Sequence, residues 1–247
     1  MLGSDRLQGK VIAVTGGGQR LGAAIVRLAA QAGMRVALQY HRSQAAALVL
    51  VAELTATGAQ VWAWQGDFTQ PGCPEAFIDA TIAHYGTLDV LVNNAGMWRA
   101  TPIGQVTATD WHELLTLNVT AAFTTIQQAK PVLTQTRGAV INICDAGVYR
   151  PWRNYTPYLA SKGALVTMTM ALAKELAPAV RVNGVAPGLA LLPEEWDEAR
   201  IRQATQHIPL QTHGSARDIA EAVLFLAAAP FITGVILPVD GGVALRG

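Results

Sequence analysis

The chain alternates short apolar runs with longer segments in which apolar residues recur every three or four positions. Short runs of this kind predict buried strands, and the longer periodic segments predict helices. Strands are predicted at residues 11–14, 35–39, 60–64, 88–92, 139–143, 180–185 and 235–238. Helices are predicted at residues 21–31, 44–57, 75–84, 111–133, 157–176, 194–206 and 216–228. Repeated strand-to-helix units indicate an α/β fold built on a parallel sheet.

Length and composition favour a single domain over residues 1–247. The 247 residues are 51% hydrophobic and 14% charged, which supplies one large core and excludes a disordered chain. Residues 222–239 carry no charge and could span a bilayer by length alone, but Pro230 and Pro238 interrupt them. This segment therefore predicts a helix, a turn and a strand, and no membrane partner.

Charge and cysteine usage exclude two further classes of protein. Lys and Arg number 18 against 17 Asp and Glu, and no long run of one sign occurs, so no nucleic-acid partner is expected. The two cysteines and the absence of a secretory pattern at the N-terminus predict a cytoplasmic protein without disulfides. The histidines lack metal-ligand spacing, so no metal site is predicted.

A glycine-rich turn follows the first predicted strand. It reads Thr15-Gly-Gly-Gly-Gln-Arg-Leu-Gly22, directly before a predicted helix. Glycines permit a tight turn and close approach of a pyrophosphate, which the free N–H groups of the helix attract. The turn predicts a dinucleotide site, and a purely structural turn is the alternative. The predicted cofactor contacts are Gly16, Gly18, Arg20, Leu21 and Gly22.

The end of the second predicted strand bears on which dinucleotide is bound. A site that selects NAD usually carries an acidic residue there, but this chain has His41, Arg42 and Ser43. A cation and hydrogen-bond donors suit the 2′-phosphate of NADPH, so NADPH is the predicted cofactor; a solvated loop is the alternative. After the third strand, Asp67 and Phe68 are placed at the adenine, although Asp67 could instead cap the next helix.

The loop after the fourth predicted strand carries candidate ligand contacts. After the fourth strand, Asn94, Ala95 and Gly96 are small enough to let the backbone lie against a flat ligand. Trp98 follows on the same loop, where it is either a platform for a ligand or a packing residue.

The start of the helix predicted at 157–176 holds a candidate proton donor. Tyr158 and Lys162 are four residues apart and share a helix face, with Thr156 as a predicted N-cap and Pro157 in the first turn. An ammonium group near a phenol favours the phenolate and lowers the pKa of the tyrosine. Tyr158 is therefore predicted to exchange protons near neutral pH, and an ordinary helical pair is the alternative.

Together these motifs resemble the short-chain dehydrogenase/reductase family over nearly the whole chain. The resemblance also rests on Asn118, on Pro187-Gly188 after the sixth strand and on Asp240-Gly-Gly242. It implies a Rossmann-type, doubly wound parallel sheet with helices on both faces and an NAD(P)-dependent reductase. In that family Tyr158 would be the acid, Lys162 would hold the nicotinamide ribose, and Asn118 would support a proton-relay water.

Asp145 departs from the common pattern of that family, in which a serine stands thirteen positions before the tyrosine. An ionised carboxylate opposes the alkoxide formed when a ketone is reduced, at a cost of roughly 4 kcal/mol for charges about 4 Å apart at an effective dielectric near 20. A carboxylate instead suits a substrate with N–H donors and a C=N bond. Asp145 is therefore predicted to be a catalytic and substrate-binding residue.

Asp145, Arg20 and the glycine-rich turn resemble the pteridine reductase branch of the family. That likeness implies reduction of a dihydropterin or dihydrofolate, a lid at about residues 189–212, and a homotetramer. Arg20, Trp98, Tyr158 and Leu189 would contact the pterin. Two alternatives stay open: an NADPH-dependent carbonyl reductase acting on a 3-oxoacyl-carrier-protein or a sugar, and a non-catalytic NADPH-binding protein.

Overall fold

The computed structural model describes residues 4–192 and 196–245. Seven parallel strands form one sheet in the order β3-β2-β1-β4-β5-β6-β7. The strands are β1 Val11–Val14, β2 Arg35–Tyr40, β3 Val61–Gln65, β4 Val90–Asn93, β5 Ala139–Ile143, β6 Arg181–Pro187 and β7 Ile236–Val239. The predicted fold class is confirmed: this is a single-domain, doubly wound Rossmann-type sheet.

Helices cover both faces of the sheet. They are α1 Arg20–Gln31, α2 Gln44–Ala56, α3 Cys73–Tyr85, α4 Ala108–Leu115, α5 Ala121–Thr136, α6 Thr156–Leu176, α7 Glu198–Thr205 and α8 Ala216–Ala228. Side chains alternate between the faces along β1, so Ile12 packs into a core with α1, α2 and α8, while Val11 packs into a core with α3, α5 and α6. Burial on both faces explains why the strands are continuous apolar runs.

The helix predicted at 111–133 differs most from its prediction. Helical residues run from Ala108 to Thr136, but a π-helical turn, Thr116–Thr120, separates α4 from α5. Such turns are frequent at functional sites, and this one contains the buried Asn118. The prediction of one uninterrupted helix is therefore wrong.

The starts of two predicted helices differ from the prediction or fall outside the described residues. Thr156 was predicted to be an N-cap, but it is the first residue of α6, and Tyr155 precedes it without a side-chain cap. The first two residues of the helix predicted at 194–206, and residues 193–195 of the predicted lid, lie outside the described residues. Within the described ranges no helix is both long and apolar enough to cross a membrane.

The order of the strands determines where ligands bind. The chain builds β1, β2 and β3 toward one edge and then returns to place β4 on the other side of β1. Loops after β1 and β4 consequently diverge to opposite faces and leave a crevice at the carboxyl ends of these strands, which is where such folds bind ligands.

Candidate active site

A cleft of about 1250 Å³ lies at the carboxyl ends of the strands. Pockets for drug-sized ligands typically measure about 300–1000 Å³, so this cleft has room for a dinucleotide and a second molecule. The predicted site residues that line it are Gly16, Arg20, Leu21, Gly22, His41, Arg42, Ser43, Asp67, Phe68, Asn94, Ala95, Gly96, Trp98, Asp145, Tyr158, Lys162, Pro187, Gly188 and Leu189. Gly18 and Asn118, the other two predicted site residues, do not line it.

The glycine turn leaves backbone open toward the cleft. Gly16 has a positive φ of 62°, and a Cβ on Gly22 would lie 2.1 Å from the carbonyl oxygen of Gly16. The Asn94 side chain fixes the turn by donating hydrogen bonds to the carbonyl oxygens of Thr15 and Gly16. Gly18 packs against the loop after β2, where a Cβ would be 2.8 Å from Ser43 Oγ. A cradle without side chains beside a helix N-terminus fits a pyrophosphate.

Arg20 occupies a left-handed backbone conformation with φ of 51° at the first residue of α1. A non-glycine residue in this region costs about 1–2 kcal/mol. Its side chain lines the cleft, where a guanidinium group can bind a phosphate. Its place on the lining of the cleft, together with the strained φ, makes Arg20 a candidate ligand contact.

Replacing Arg20 with glycine is expected to raise the melting temperature and weaken NADPH binding about tenfold. Relief of the strained φ stabilises the fold, while loss of the guanidinium removes a charge-assisted hydrogen bond. Thermal melts and NADPH titration by fluorescence measure the two effects. Arg137→Gly is the matched control, because Arg137 has φ of 50° at the end of α5, away from the cleft. It should stabilise the protein and leave NADPH affinity unchanged; equal affinities for all three proteins would contradict the assignment of Arg20.

The loops after β2 and β3 form the other end of the cofactor region. Arg42 is exposed and has no ion pair among the residues described, so its charge is available to a ligand. Burial raises the pKa of Asp67, but hydrogen bonds from Thr69 and the nearby His41 outweigh burial and lower it. Asp67 does not cap α3, whose N-cap is Gly72; it accepts two bonds from Thr69 instead. Phe68 packs into the core.

Tyr158 and Asp145 form the centre of the site. Tyr158 is 5% exposed, and its hydroxyl donates a hydrogen bond of 2.6 Å to Asp145 Oδ2. The other oxygen of Asp145, Oδ1, accepts from the backbone N–H of Gly147 at 2.7 Å, which fixes the carboxyl group just after β5. Burial raises the pKa of Asp145 despite these two bonds. The carboxyl group of Asp145 therefore lies against the Tyr158 hydroxyl, and the catalytic roles of both residues stay predictions.

The prediction that Lys162 lowers the pKa of Tyr158 is wrong. Burial and the charge of Asp145 raise the pKa of Tyr158 above its ordinary value. Lys162 is buried, its Nζ lies 6.0 Å from the centroid of the Tyr158 ring, and it donates to the carbonyl oxygen of Ile143 at 2.7 Å. Burial lowers the pKa of the lysine itself. The nearest charged partner of the phenol is thus a carboxyl group.

Asn118 fixes the loop after β4, which lines the cleft. Its Oδ1 accepts from the Met97 N–H at 2.7 Å, and its amide donates to the Met97 carbonyl and to Ser161 Oγ. These bonds join the loop after β4 to α6. The water-relay role of Asn118 stays a prediction.

Sequence reasoning missed two aromatic residues of the site, Trp152 and Tyr155. Trp98 stacks on Tyr155 with ring centroids 5.0 Å apart, and Trp152 lies parallel to Tyr158 at 6.4 Å. Trp152 and Tyr155 meet edge to face at 5.8 Å. All four rings line the cleft. The available signal was the clustering of aromatic residues directly before Tyr158 in the sequence.

The switch point of the sheet, the glycine cradle and the buried tyrosine define a dinucleotide-dependent oxidoreductase. The sequence profile described as Enoyl-(Acyl carrier protein) reductase matches residues 18–244. The chain belongs to the short-chain dehydrogenase/reductase family.

Two relatives and one solved structure resemble the chain over nearly its whole length. The chain is 33% identical to 3beta-hydroxysteroid dehydrogenase 1 of Eggerthella lenta, over 98% of this chain and 96% of the relative. It is 34% identical to the 3-oxoacyl-[acyl-carrier-protein] reductase of Synechocystis, over 97% and 98% of the two chains. A solved blue fluorescent protein from a metagenomic library, in complex with NADPH, is 38% identical with a TM-score of 0.90 and covers 96% of this chain and 99% of its own. These relatives are named for carbonyl chemistry or NADPH, and none for pterins.

Proposed function

We propose that this protein reduces a ketone to an alcohol with NADPH. The observation that carries the proposal is the buried Tyr158 hydroxyl, held at the floor of a cleft whose glycine cradle fits a dinucleotide. The relatives named as 3-oxoacyl-carrier-protein reductase and hydroxysteroid dehydrogenase support carbonyl chemistry over the pterin reduction expected from the sequence.

The residues of the cleft divide the work of the reaction. NADPH would supply the hydride when bound, and the glycine turn and Arg20 would hold its phosphates. Tyr158 donates its hydroxyl proton to the carbonyl oxygen, so that an alcohol rather than an alkoxide leaves. Lys162, whose Nζ lies 3.6 Å from a Cβ placed on Gly96 in the cleft, would hold the ribose of the cofactor. Asp145 controls whether the Tyr158 proton is available.

A panel of ketones and dihydropterins with NADPH tests the proposal. Consumption of NADPH with ketones is the expected result, and consumption with dihydropterins alone would overturn it. Pterin reduction is retained as the second candidate because one observation favours it: Asp145 presents a carboxyl group at the Tyr158 hydroxyl, where it could bind an N–H donor. Failure with every compound would favour a non-catalytic NADPH-binding protein.

The preference for NADPH is tested at Arg42. Replacing Arg42 with alanine should raise the KM for NADPH by about tenfold or more, since a hydrogen bond to a charged group contributes about 1.5–3 kcal/mol. The KM for NADH should stay within about twofold, because NADH lacks the 2′-phosphate. Parallel steady-state assays with both cofactors make the comparison. Equal losses for the two cofactors would contradict a 2′-phosphate contact.

The cytoplasmic location and the homotetramer remain predictions from the sequence and the family likeness. Light scattering coupled to size-exclusion chromatography measures the assembly directly.

A further inference from the structure

Four aromatic rings form a continuous surface in the cleft, here called the aromatic wall: Trp98, Trp152, Tyr155 and Tyr158. Trp98 comes from the loop after β4, and the other three come from the loop and first turn before and within α6. The backbone N–H of Thr101 donates to the carbonyl oxygen of Asn154 at 2.6 Å, which ties these two loops together. The wall is therefore assembled by contacts between two separate loops.

The wall presents apolar area that the fold does not cover. Trp98 is 62% exposed and Trp152 is 41% exposed, although both pack against other rings of the wall. Tyr158, by contrast, is buried, although it lines the cleft. Covering exposed aromatic surface with a ligand removes apolar area from water, at roughly 25 cal/mol per Å². The uncovered tryptophan surface consequently favours an apolar, planar occupant.

Trp152 is the residue of the aromatic wall that lies parallel to the Tyr158 ring, whose hydroxyl is the proposed proton donor. Its plane lies 13° from that of Tyr158, and its Cζ2 would be 3.0 Å from a Cβ on Gly147. The absence of a side chain at Gly147 thus lets Trp152 lie against the turn that also holds Asp145. A substrate whose carbonyl oxygen reaches the Tyr158 hydroxyl would bring the group attached to its carbonyl carbon beside Trp152.

We propose that the aromatic wall selects carbonyl substrates that carry a planar aromatic ring directly on the carbonyl carbon, with Trp152 as a specificity-determining residue. This inference rests on the proposed ketone reduction. Offset-stacked or edge-to-face aromatic pairs are favoured beyond the burial of area, and a puckered ring of the same size cannot stack. The wall therefore distinguishes a flat ring from an aliphatic ring.

Acetophenone and cyclohexyl methyl ketone form the test pair, since both are six-ring methyl ketones and only one ring is flat. In Trp152→Leu, the KM for acetophenone should rise about tenfold, while that for cyclohexyl methyl ketone should change less than about twofold. Trp152→Phe should restore most of the discrimination. Trp111→Leu is the matched control, because Trp111 is 40% exposed on α4 and does not line the cleft. It should change neither KM.

A binding measurement keeps the inference separate from the proposed reaction. Benzamide and cyclohexanecarboxamide are not reduced, and their affinities for the NADPH-bound protein can be titrated by tryptophan fluorescence. Benzamide should bind more tightly to the wild type, and Trp152→Leu should remove the difference. Equal affinities in the wild type, or equal KM changes for both ketones in Trp152→Leu, would overturn the inference. Binding selectivity without turnover of any ketone would instead reject the proposed function and leave the wall supported.

Discussion

Replacing Tyr158 with phenylalanine is expected to lower kcat for ketone reduction by at least about 100-fold, the scale of general-acid catalysis. Phenylalanine keeps the buried ring and its parallel contact with Trp152, and removes only the hydroxyl that bonds to Asp145. Without that hydroxyl, no side chain among the described residues is positioned to donate a proton to the carbonyl oxygen of the substrate. Pre-steady-state and steady-state rates at saturating NADPH measure the loss.

The loss should appear in the chemical step and not in cofactor binding. The dissociation constant of NADPH, titrated by fluorescence, should change less than about twofold in Tyr158→Phe. Tyr149→Phe is the matched control, because Tyr149 is 47% exposed, precedes the same helix and does not line the cleft. It should retain full activity. A Tyr158→Phe enzyme with more than about a third of wild-type turnover would remove Tyr158 from the mechanism.

Much of the fold follows from local patterns of burial and capping. The strand predicted at 139–143 and the helix predicted at 216–228 have the same bounds in the structure. The strand is buried at every position and therefore reads as one apolar run, and the helix begins at a capping box between Ser215 and Asp218. The π-helical turn around Asn118 was missed because an i to i+5 hydrogen bond leaves no periodic pattern of apolar residues.

The location of the site was predictable, but its electrostatics were not. Residues in the turns after the strands reach one cleft because parallel strands bring their carboxyl ends together. Helical spacing placed Tyr158 and Lys162 on one face, but it could not indicate that the lysine amine bonds to Ile143 and not to the phenol. The stacking of Trp98 on Tyr155 joins loops distant in sequence, so no local pattern reports it.

Asp145 is expected to make ketone turnover depend on pH, because its carboxylate competes with the substrate for the Tyr158 proton. An ionised Asp145 accepts a hydrogen bond of 2.6 Å from the Tyr158 hydroxyl, which holds the phenol proton away from the substrate. The same negative charge opposes negative charge on the substrate oxygen. Burial raises the pKa of Asp145, so the carboxyl group becomes neutral at a higher pH than an exposed aspartic acid. As the pH falls through this raised pKa, the neutral acid can donate to Tyr158, which frees the tyrosine proton for the substrate. Ketone turnover should therefore rise on acidification and fall as the pH increases.

Asp145→Ser should remove this pH dependence and raise ketone turnover at neutral pH by at least about tenfold. A tenfold gain corresponds to about 1.4 kcal/mol, which is a fraction of the ~4 kcal/mol that like charges about 4 Å apart cost at an effective dielectric near 20. Asp145→Asn is the matched variant, since it keeps the shape and removes the charge, and it should also flatten the pH profile. Profiles of kcat/KM for one ketone across the three proteins make the comparison. If Asp145→Ser slows ketones and abolishes turnover of a dihydropterin, the carboxylate serves a nitrogen heterocycle, and pterin reduction replaces ketone reduction as the function of this cleft.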